Sequence, residues 1–190
     1  INKQVVGAIN EAGGTAIGLS GKDGNLIQAK KLKRTYRDPD SNIEKVVDLG
    51  FVGDPTTINS SVLEELASSN IIPVIAPLGV GPKGITYNIN ADTVAGALAS
   101  VLQAEKLVLM TNTPGVLDSN GELLTGLNAG EIAQLIEDKV IVSGMLPKID
   151  CGQYAVKAGV KSAHIIDGRV DHALLLEIFT DTGVGTLISA

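Results

Sequence analysis

Short apolar runs alternate along this chain with segments whose apolar residues recur at helical spacing. Leu107 to Met110 and Ala163 to Ile166 are runs typical of buried strands, whereas Val94, Leu98 and Val101 recur as on one face of a helix. Such alternation predicts βα units, in which helices cover both faces of a mostly parallel central sheet. We therefore predict an α/β fold arranged as a three-layer sandwich.

Composition supports this fold class and excludes several functions. Hydrophobic residues make up 44% of the chain but aromatic residues only 3%, so Ile, Val, Leu and Ala must form the core, as in strands buried on both faces. The net charge of −6, without a dense basic run, argues against a nucleic-acid partner. No apolar stretch approaches the roughly 18 residues that span a membrane. With the single cysteine Cys151, these features predict a cytoplasmic protein.

The other predicted elements follow from local spacing and turn residues. Val5, Val6 and Ile9 indicate an opening helix. The remaining predictions are, in chain order, a hairpin of strands 15–19 and 26–32, a strand at 43–52, a helix capped by Ser60 or Ser61, a buried strand at 71–78, a helix around Ile132 to Ile136, a helix from Pro147 to about Gly159, a last helix around Leu175 to Phe179 and a strand at 186–188.

Three glycines between Gly79 and Gly84 match the pattern of a dinucleotide-binding turn. That turn requires a helix at its last glycine, so that the helix N-terminus meets the pyrophosphate. Here the segment Ile85 to Tyr87 has the composition of a strand instead. We therefore interpret the glycines as a flexible connection.

The segment from Tyr87 to Asp92 places polar side chains at alternate positions. In an extended chain Asn88 and Asn90 point to one face and Tyr87 and Ile89 to the other, and Asp92 then falls in the first helical turn. A purely structural interpretation explains the spacing equally well. In it Asn90 caps the helix, and the helix dipole favours the Asp92 carboxylate in the first turn. A ligand site is the second interpretation, because open α/β sheets bind ligands at the carboxyl ends of their strands.

A glycine turn leads into a helix at Gly144 to Lys148. A lysine in the first helical turn opposes the helix dipole, but a bound phosphate would reverse this penalty. The alternative is a solvated Lys148 paired with Asp150.

The polar loop from Thr111 to Val116 follows a predicted strand, at a place where a base or ribose would be bound. This loop is a weak signal by itself. His164 and His172 fall at a strand edge and a helix start, where ordinary roles are expected.

Three longer motifs carry a resemblance to a known family. Y-N-I-N-A-D at 87–92, G-M-L-P-K at 144–148 and H-I-I-D-G-R at 164–169 resemble the acetylglutamate kinases of the amino acid kinase family, over essentially the whole chain. The segments at 16–24 and 174–186 are similar to the arginine-inhibited branch. The resemblance implies the amino acid kinase fold and a homo-oligomer. It assigns residues 1–104 to a lobe for acetylglutamate binding and dimerisation, and residues 105–190 to a nucleotide-binding lobe.

The resemblance also implies roles for individual residues. Lys148 would be a catalytic lysine, and Asp92 the carboxylate that orients the catalytic lysines. Asn88 and Asn90 would line the acetylglutamate site. The residues implied around the nucleotide are Thr111, Asn112, Gly115, Gly144 and Met145, and those implied for an arginine effector are His164, Glu177 and Gly183.

The implied reaction is transfer of the γ-phosphoryl of ATP to the side-chain carboxylate of N-acetyl-L-glutamate, in arginine biosynthesis. Mg²⁺ would be held through the nucleotide phosphates, and no protein-bound metal is expected. The family's opening K-x-G-G strand, its substrate-binding glycine pair and its substrate-binding arginine precede the point where this sequence starts, at Ile1. We therefore expect that an N-terminal segment of the protein is missing from this sequence. We also expect that this chain alone is inactive. Asn112 stands where many relatives carry Asp.

Two alternatives remain open. The chain could belong to a sister kinase that acts on glutamate, aspartate, carbamate or an aminoadipate derivative, since the phosphate-handling residues would be alike. It could also be a non-catalytic regulatory module that binds nucleotide or arginine, since the first catalytic lysine of the family is not in this sequence.

Overall fold

The chain forms two compact units, Ile1–Val94 and Ala95–Ala190. The computed structural model describes residues 1–37, 44–142, 144–180 and 183–189. Both units contain helices as well as β-sheets, which confirms the predicted α/β class. The predicted lobes at 1–104 and 105–190, with their separate ligands, stay predictions.

The first unit contains eight strands and two complete α-helices among its described residues. They are α1 (Asn2–Glu11), β1 (Ala16–Ser20), β2 (Ile27–Lys31), β3 (Arg34–Arg37), β4 (Glu44–Val47), β5 (Gly53–Ile58), α2 (Ser61–Ser68), β6 (Ile72–Ala76), β7 (Leu78–Val80) and β8 (Thr86–Asn88). β1 and β6 form a parallel pair, β3 and β4 an antiparallel pair, and the third sheet has the order β5-β2-β7-β8. A further helix, α3 (Ala91–Val101), begins in this unit and ends in the second.

The predicted hairpin of residues 15–19 and 26–32 is wrong. β1 pairs in parallel with β6, whereas β2 pairs with β5 and β7 in a different sheet. The cause lies in the turn, where the Asp23 carboxylate accepts hydrogen bonds from the backbone N–H and the hydroxyl of Ser20. A Cβ at Gly21 would lie 1.9 Å from the carbonyl oxygen of Leu78, so the chain passes directly against β7 there. The turn therefore delivers β2 to another sheet.

Two further strand predictions in this unit need correction. Of the predicted strand at 43–52, Ile43 lies outside the described residues, β4 ends at Val47, and Val52 makes only an isolated bridge. The strand β5 was missed because Gly-Asp-Pro resembles a turn; its Pro55 is tolerated because β5 lies at the edge of its sheet. The predicted buried strand at 71–78 is divided at Pro77 into β6 and β7, and Ile72 is 46% exposed.

The connection through Gly79–Gly84 joins two antiparallel strands, β7 and β8. The Gly81 N–H donates to the carbonyl oxygen of Ile85 and closes this hairpin. A strand therefore follows the last glycine where a dinucleotide-binding turn needs a helix, which confirms the interpretation as a connection.

The second unit is built on one four-stranded sheet. Its elements are β9 (Lys106–Thr111), β10 (Gly126–Leu127), α4 (Ala129–Glu137), α5 (Leu146–Lys157), β11 (Ser162–Asp167), α6 (Ala173–Phe179) and β12 (Thr186–Ile188), with strand order β10-β12-β11-β9. β9 and β11 run parallel in the predicted way, and β12 returns antiparallel to β11. The core consists of aliphatic side chains, and Ala163, Ile165 and Ile166 on β11 are fully buried. This agrees with an aromatic-poor core around a strand covered on both faces.

The helices of the second unit start at recognisable signals. Asn128 caps α4 in a capping box, since its side chain accepts from the Gly130 and Glu131 N–H groups while the Glu131 carboxylate accepts from the Asn128 N–H. α5 begins at Leu146, so Pro147 occupies the second helical position, one later than predicted. None of the helices in the described part of the chain is long and apolar enough to cross a membrane.

Candidate active site and effector site

The first polar cluster lies in the first unit, where β8 leads into α3. Tyr87 and Ile89 are 7% and 2% exposed, whereas Asn88 and Asn90 are exposed. The predicted alternation of buried and exposed side chains is thus confirmed. It follows from the pleat of β8, which pairs with β7 on one side.

Asn90 caps α3. Its side-chain oxygen Oδ1 accepts from the N–H groups of Asp92 at 2.9 Å and Thr93 at 3.2 Å. This confirms the capping interpretation. The amide Nδ2 group of Asn90 could still donate to a ligand without disturbing the cap. Asp92, in the first turn of α3, is half-buried, and a carboxylate is favoured there by the helix dipole.

The second cluster lies in the second unit, at the edge where β9 and β11 both end. The two strands are parallel and in register, with Thr111 opposite Asp167. The N–H of Gly168 donates to the carbonyl oxygen of Thr111 at 2.8 Å, which ties together the two chain segments that leave the sheet. Asn112 follows as an exposed residue. The predicted nucleotide loop therefore starts at the carboxyl edge of a parallel pair, where such sheets bind ligands.

Gly115 anchors the other end of this loop. It is buried with φ +152°, and a Cβ there would lie 2.6 Å from Oγ1 of Thr186. The same Oγ1 accepts from the N–H of Val116 at 2.8 Å. A glycine is therefore required because the loop passes directly over β12. This is a packing role, whatever the loop binds.

The start of α5 points to the same edge of the sheet. The chain reverses tightly between α5 and β11, with the Val160 N–H donating to the Ala155 carbonyl oxygen, so α5 runs antiparallel to β11. Its first turn, with the half-buried Lys148, then lies toward the carboxyl ends of β9 and β11. Met145 packs on the core and Gly144 is exposed in the preceding turn. From the direction of α5 we infer that Lys148 lies at the same end of the sheet as the predicted nucleotide loop.

A third cluster joins β11 to α6. Nδ1 of His164 lies 2.6 Å from Oε1 of Glu177, and Nε2 of His164 lies 2.8 Å from the Ser162 hydroxyl. The second carboxylate oxygen of Glu177 accepts from the Val184 N–H at 2.7 Å. His164 and Glu177 are only 6% and 8% exposed, so this hydroxyl–imidazole–carboxylate chain is a buried connection between elements.

Glu177 is held in its ionised form. Burial raises the pKa of its carboxyl, but hydrogen bonds from the Val184 backbone and from His164 outweigh burial, and the net pKa is lowered. Gly183 has φ +58°, which favours glycine, and a Cβ there would lie 2.9 Å from Oε2 of Glu177, so a larger residue would press on this carboxylate. Glu177 therefore does not lie on the exposed face of α6. His164 also does not lie at a sheet edge, because β11 runs between β12 and β9.

An ion pair at the carboxyl edge of β9 and β11 was not predicted from the sequence. Arg169 donates from Nε and Nη2 to the two carboxylate oxygens of Asp167, at 2.9 and 2.8 Å. These bonds lower the pKa of Asp167 to about 2. The signal was present as Asp-Gly-Arg directly after a buried apolar run, but an acid and a base two residues apart rarely imply a bidentate pair.

Described residues contain no group of three or more His, Cys, Asp or Glu side chains arranged to bind a metal ion. Mg²⁺ that arrives on nucleotide phosphates needs no such group, because it keeps phosphate and water oxygens as most of its ligands.

Solved structures and sequence relatives agree on the class of protein. The smu.665 protein of Streptococcus mutans UA159 has a TM-score of 0.76 and 34% identity, over 99% of this chain and 66% of its own. N-acetylglutamate synthase from Neisseria gonorrhoeae, complexed with coenzyme A and L-arginine, has a TM-score of 0.76 and 28% identity, over 93% of this chain and 38% of its own. This α/β fold is thus also found in an N-acetylglutamate synthase.

The chain belongs to the amino acid kinase family, whose sequence profile matches residues 1–167. The acetylglutamate kinase of Saccharophagus degradans is 60% identical over 189 residues, which are 100% of this chain and 63% of that protein. The chain therefore spans about 63% of the length of such a relative.

Proposed function

We propose that this chain is the larger part of a kinase that transfers the γ-phosphoryl group of ATP to the side-chain carboxylate of N-acetyl-L-glutamate. The observation that carries the proposal is the 60% identity to an acetylglutamate kinase along the entire chain. Two of the three clusters, at the end of β8 and at the ends of β9 and β11, lie at carboxyl ends of strands, where such sheets bind ligands. Their positions support the proposal.

The proposed chemistry needs no general base. A carboxylate with an ordinary pKa of about 4.3 is already ionised at neutral pH. Catalysis then consists of aligning two anions and cancelling their charge, for which the N–H groups at the start of α5 and the Lys148 ammonium are suited. We propose that Asp92 orients lysine ammonium groups. We also propose that Asn88 and the amide Nδ2 group of Asn90 bind the acetylglutamate. Mg²⁺ would neutralise the nucleotide phosphates.

The test is a coupled assay of ADP release by the full-length enzyme. We expect turnover with N-acetyl-L-glutamate and little with glutamate, aspartate, carbamate or aminoadipate derivatives. Preference for any of those would instead identify a sister kinase. ADP and arginine binding without turnover on any acceptor would identify the regulatory module.

We also propose that arginine inhibits the full-length enzyme through the cluster of His164, Glu177 and Gly183. An ionised carboxylate is a strong partner for a guanidinium group. Its two oxygens already accept from His164 and Val184, so arginine must add to these bonds or replace one of them. The fold similarity to a synthase complexed with L-arginine supports an arginine site in this fold.

A further inference from the structure

Arg169 is held rigidly at the edge of the sheet where the predicted nucleotide loop begins. Two parallel hydrogen bonds to Asp167, at 2.9 and 2.8 Å, fix the plane of its guanidinium group. The backbone N–H of Arg169 donates to the same Asp167 oxygen at 2.9 Å, so the turn after β11 is fixed as well. Asp167 is 10% exposed at its side chain, and Arg169 is 65% exposed. An exposed arginine whose rotamer is already fixed loses little entropy when it binds a ligand.

The Arg169 turn is connected directly to the nucleotide loop. Thr111 is the register partner of Asp167, and the N–H of Gly168 donates to the Thr111 carbonyl oxygen at 2.8 Å. A Cβ on Gly168 would lie 3.3 Å from Met110 and 3.5 Å from the Thr111 carbonyl oxygen, so the two segments are in close contact. Arg169 therefore lies beside the first residues of the loop and not at a distant surface.

The charge of the pair indicates which end of a nucleotide it suits. A guanidinium has five N–H donors, and the pair with Asp167 uses two of them, so three remain for a ligand. The Asp167 carboxylate cancels most of the positive charge and would repel a phosphate group placed beside it. Hydrogen bonding to ribose oxygens or base nitrogens, and stacking on a ring, need no net charge.

We propose that Arg169, clamped by Asp167, binds the base and ribose of the nucleotide at the carboxyl edge of β9 and β11. This inference rests on the proposed function only for the presence of a nucleotide in the second unit. It assigns no role to Arg169 in phosphoryl transfer.

The test is calorimetric titration of the full-length enzyme with ADP and, separately, with tripolyphosphate, which lacks base and ribose. We expect Arg169→Ala to weaken ADP binding about tenfold and to change tripolyphosphate binding by less than about twofold. Asp167→Asn keeps the guanidinium but loosens its clamp, so we expect ADP binding to weaken by about threefold. In turnover, the KM for ATP should rise while kcat stays within about threefold.

Lys161→Ala is the matched control. Lys161 forms an exposed ion pair with Glu105 at 2.7 Å, just before the opposite end of β11, and its loss should leave ADP affinity unchanged. Unchanged ADP affinity in Arg169→Ala would refute the proposal, and equal weakening of ADP and tripolyphosphate would show that Arg169 binds the phosphates instead. If Arg169→Ala does not fold, Arg169→Lys, which keeps the charge without the planar fork, decides between the same outcomes.

The result separates from that of the proposed function. A parent enzyme that binds ADP but does not use acetylglutamate would overturn the proposed reaction, and the Arg169 titrations would still stand or fall on nucleotide affinity alone.

Discussion

At the scale of single residues, the strongest expectation concerns Lys148, half-buried in the first turn of α5. We expect Lys148→Ala in the full-length enzyme to lower kcat by about 10²-fold or more, because a charge partner of the transferred phosphoryl group is lost. Steady-state kinetics with saturating ATP and acetylglutamate measure this effect.

The control for Lys148 is at the other end of the same helix. Lys157 lies exposed in the last turn of α5, so Lys157→Ala should leave kcat unchanged. Turnover of Lys148→Ala within a few-fold of the parent would mean that Lys148 is an ordinary helix residue.

Glu177 is the residue on which arginine inhibition should depend. Glu177→Gln removes the charge that attracts a guanidinium, so we expect the arginine concentration for half-inhibition to rise about tenfold or more, with uninhibited turnover spared. The amide NH2 group of Gln would face the donor of His164 or Val184 and could not accept its hydrogen bond. A loss of stability of about 1–3 kcal/mol is therefore also expected. Inhibition curves should therefore be measured well below the unfolding midpoint of the variant. Equal inhibition of both proteins would rule out this site.

At the scale of elements, helix starts differ in how firmly their caps are made. Asn128 and Glu131 form a complete capping box on α4, whereas the Ser60 hydroxyl at the start of α2 donates to the Glu64 carboxylate and caps no backbone N–H. We expect Asn128→Ala to lower the free energy of unfolding by about 1 kcal/mol, and Ser60→Ala to lower it by clearly less. Urea unfolding of both variants gives the comparison, and equal losses would contradict it.

The elements also show where sequence reasoning succeeded and where it could not. The strands β9 and β11 and the helices around them were predictable, because buried parallel strands are continuous apolar runs and their helices carry 3.6-residue periodicity. The partner of β1 was not, because local turn residues permit a hairpin and only contact with the distant β7 excludes it. β5 was hidden by Gly-Asp-Pro, which reads as a turn until the strand is known to lie at an edge.

Among the candidate site residues, local sequence predicted the alternation of Asn88 and Asn90 and the helix start before Lys148. It could not predict the contact between His164 and Glu177, which are 13 residues apart and meet only because α6 folds back on β11. It also missed the clamp on Arg169, since the geometry of the turn after β11 determines whether Asp167 and Arg169 meet.

At the scale of the whole molecule, the two units differ in how much of the proposed chemistry they carry. The second unit contains the predicted nucleotide residues, and Thr111 begins their loop at the carboxyl edge of the β9–β11 pair. We therefore expect the 190-residue chain alone to bind ADP, detectable by calorimetry, without releasing ADP from ATP in the presence of acetylglutamate. A folded chain that gives no ADP heat, or one that turns over, would contradict this expectation.

The attachment of Thr186 has a mechanical consequence. The Glu177 carboxylate holds the Val184 N–H, and two residues later the Thr186 hydroxyl holds the Val116 N–H beside Gly115. A span of two residues has almost no slack, since an extended chain covers only about 3.3–3.6 Å per residue. Gly185 offers none either, because a Cβ there would lie 2.2 Å from the Ile165 carbonyl oxygen. Because only Gly185 separates these two attachment points, we expect a displacement of Val184 to reach the loop at Gly115 through Thr186.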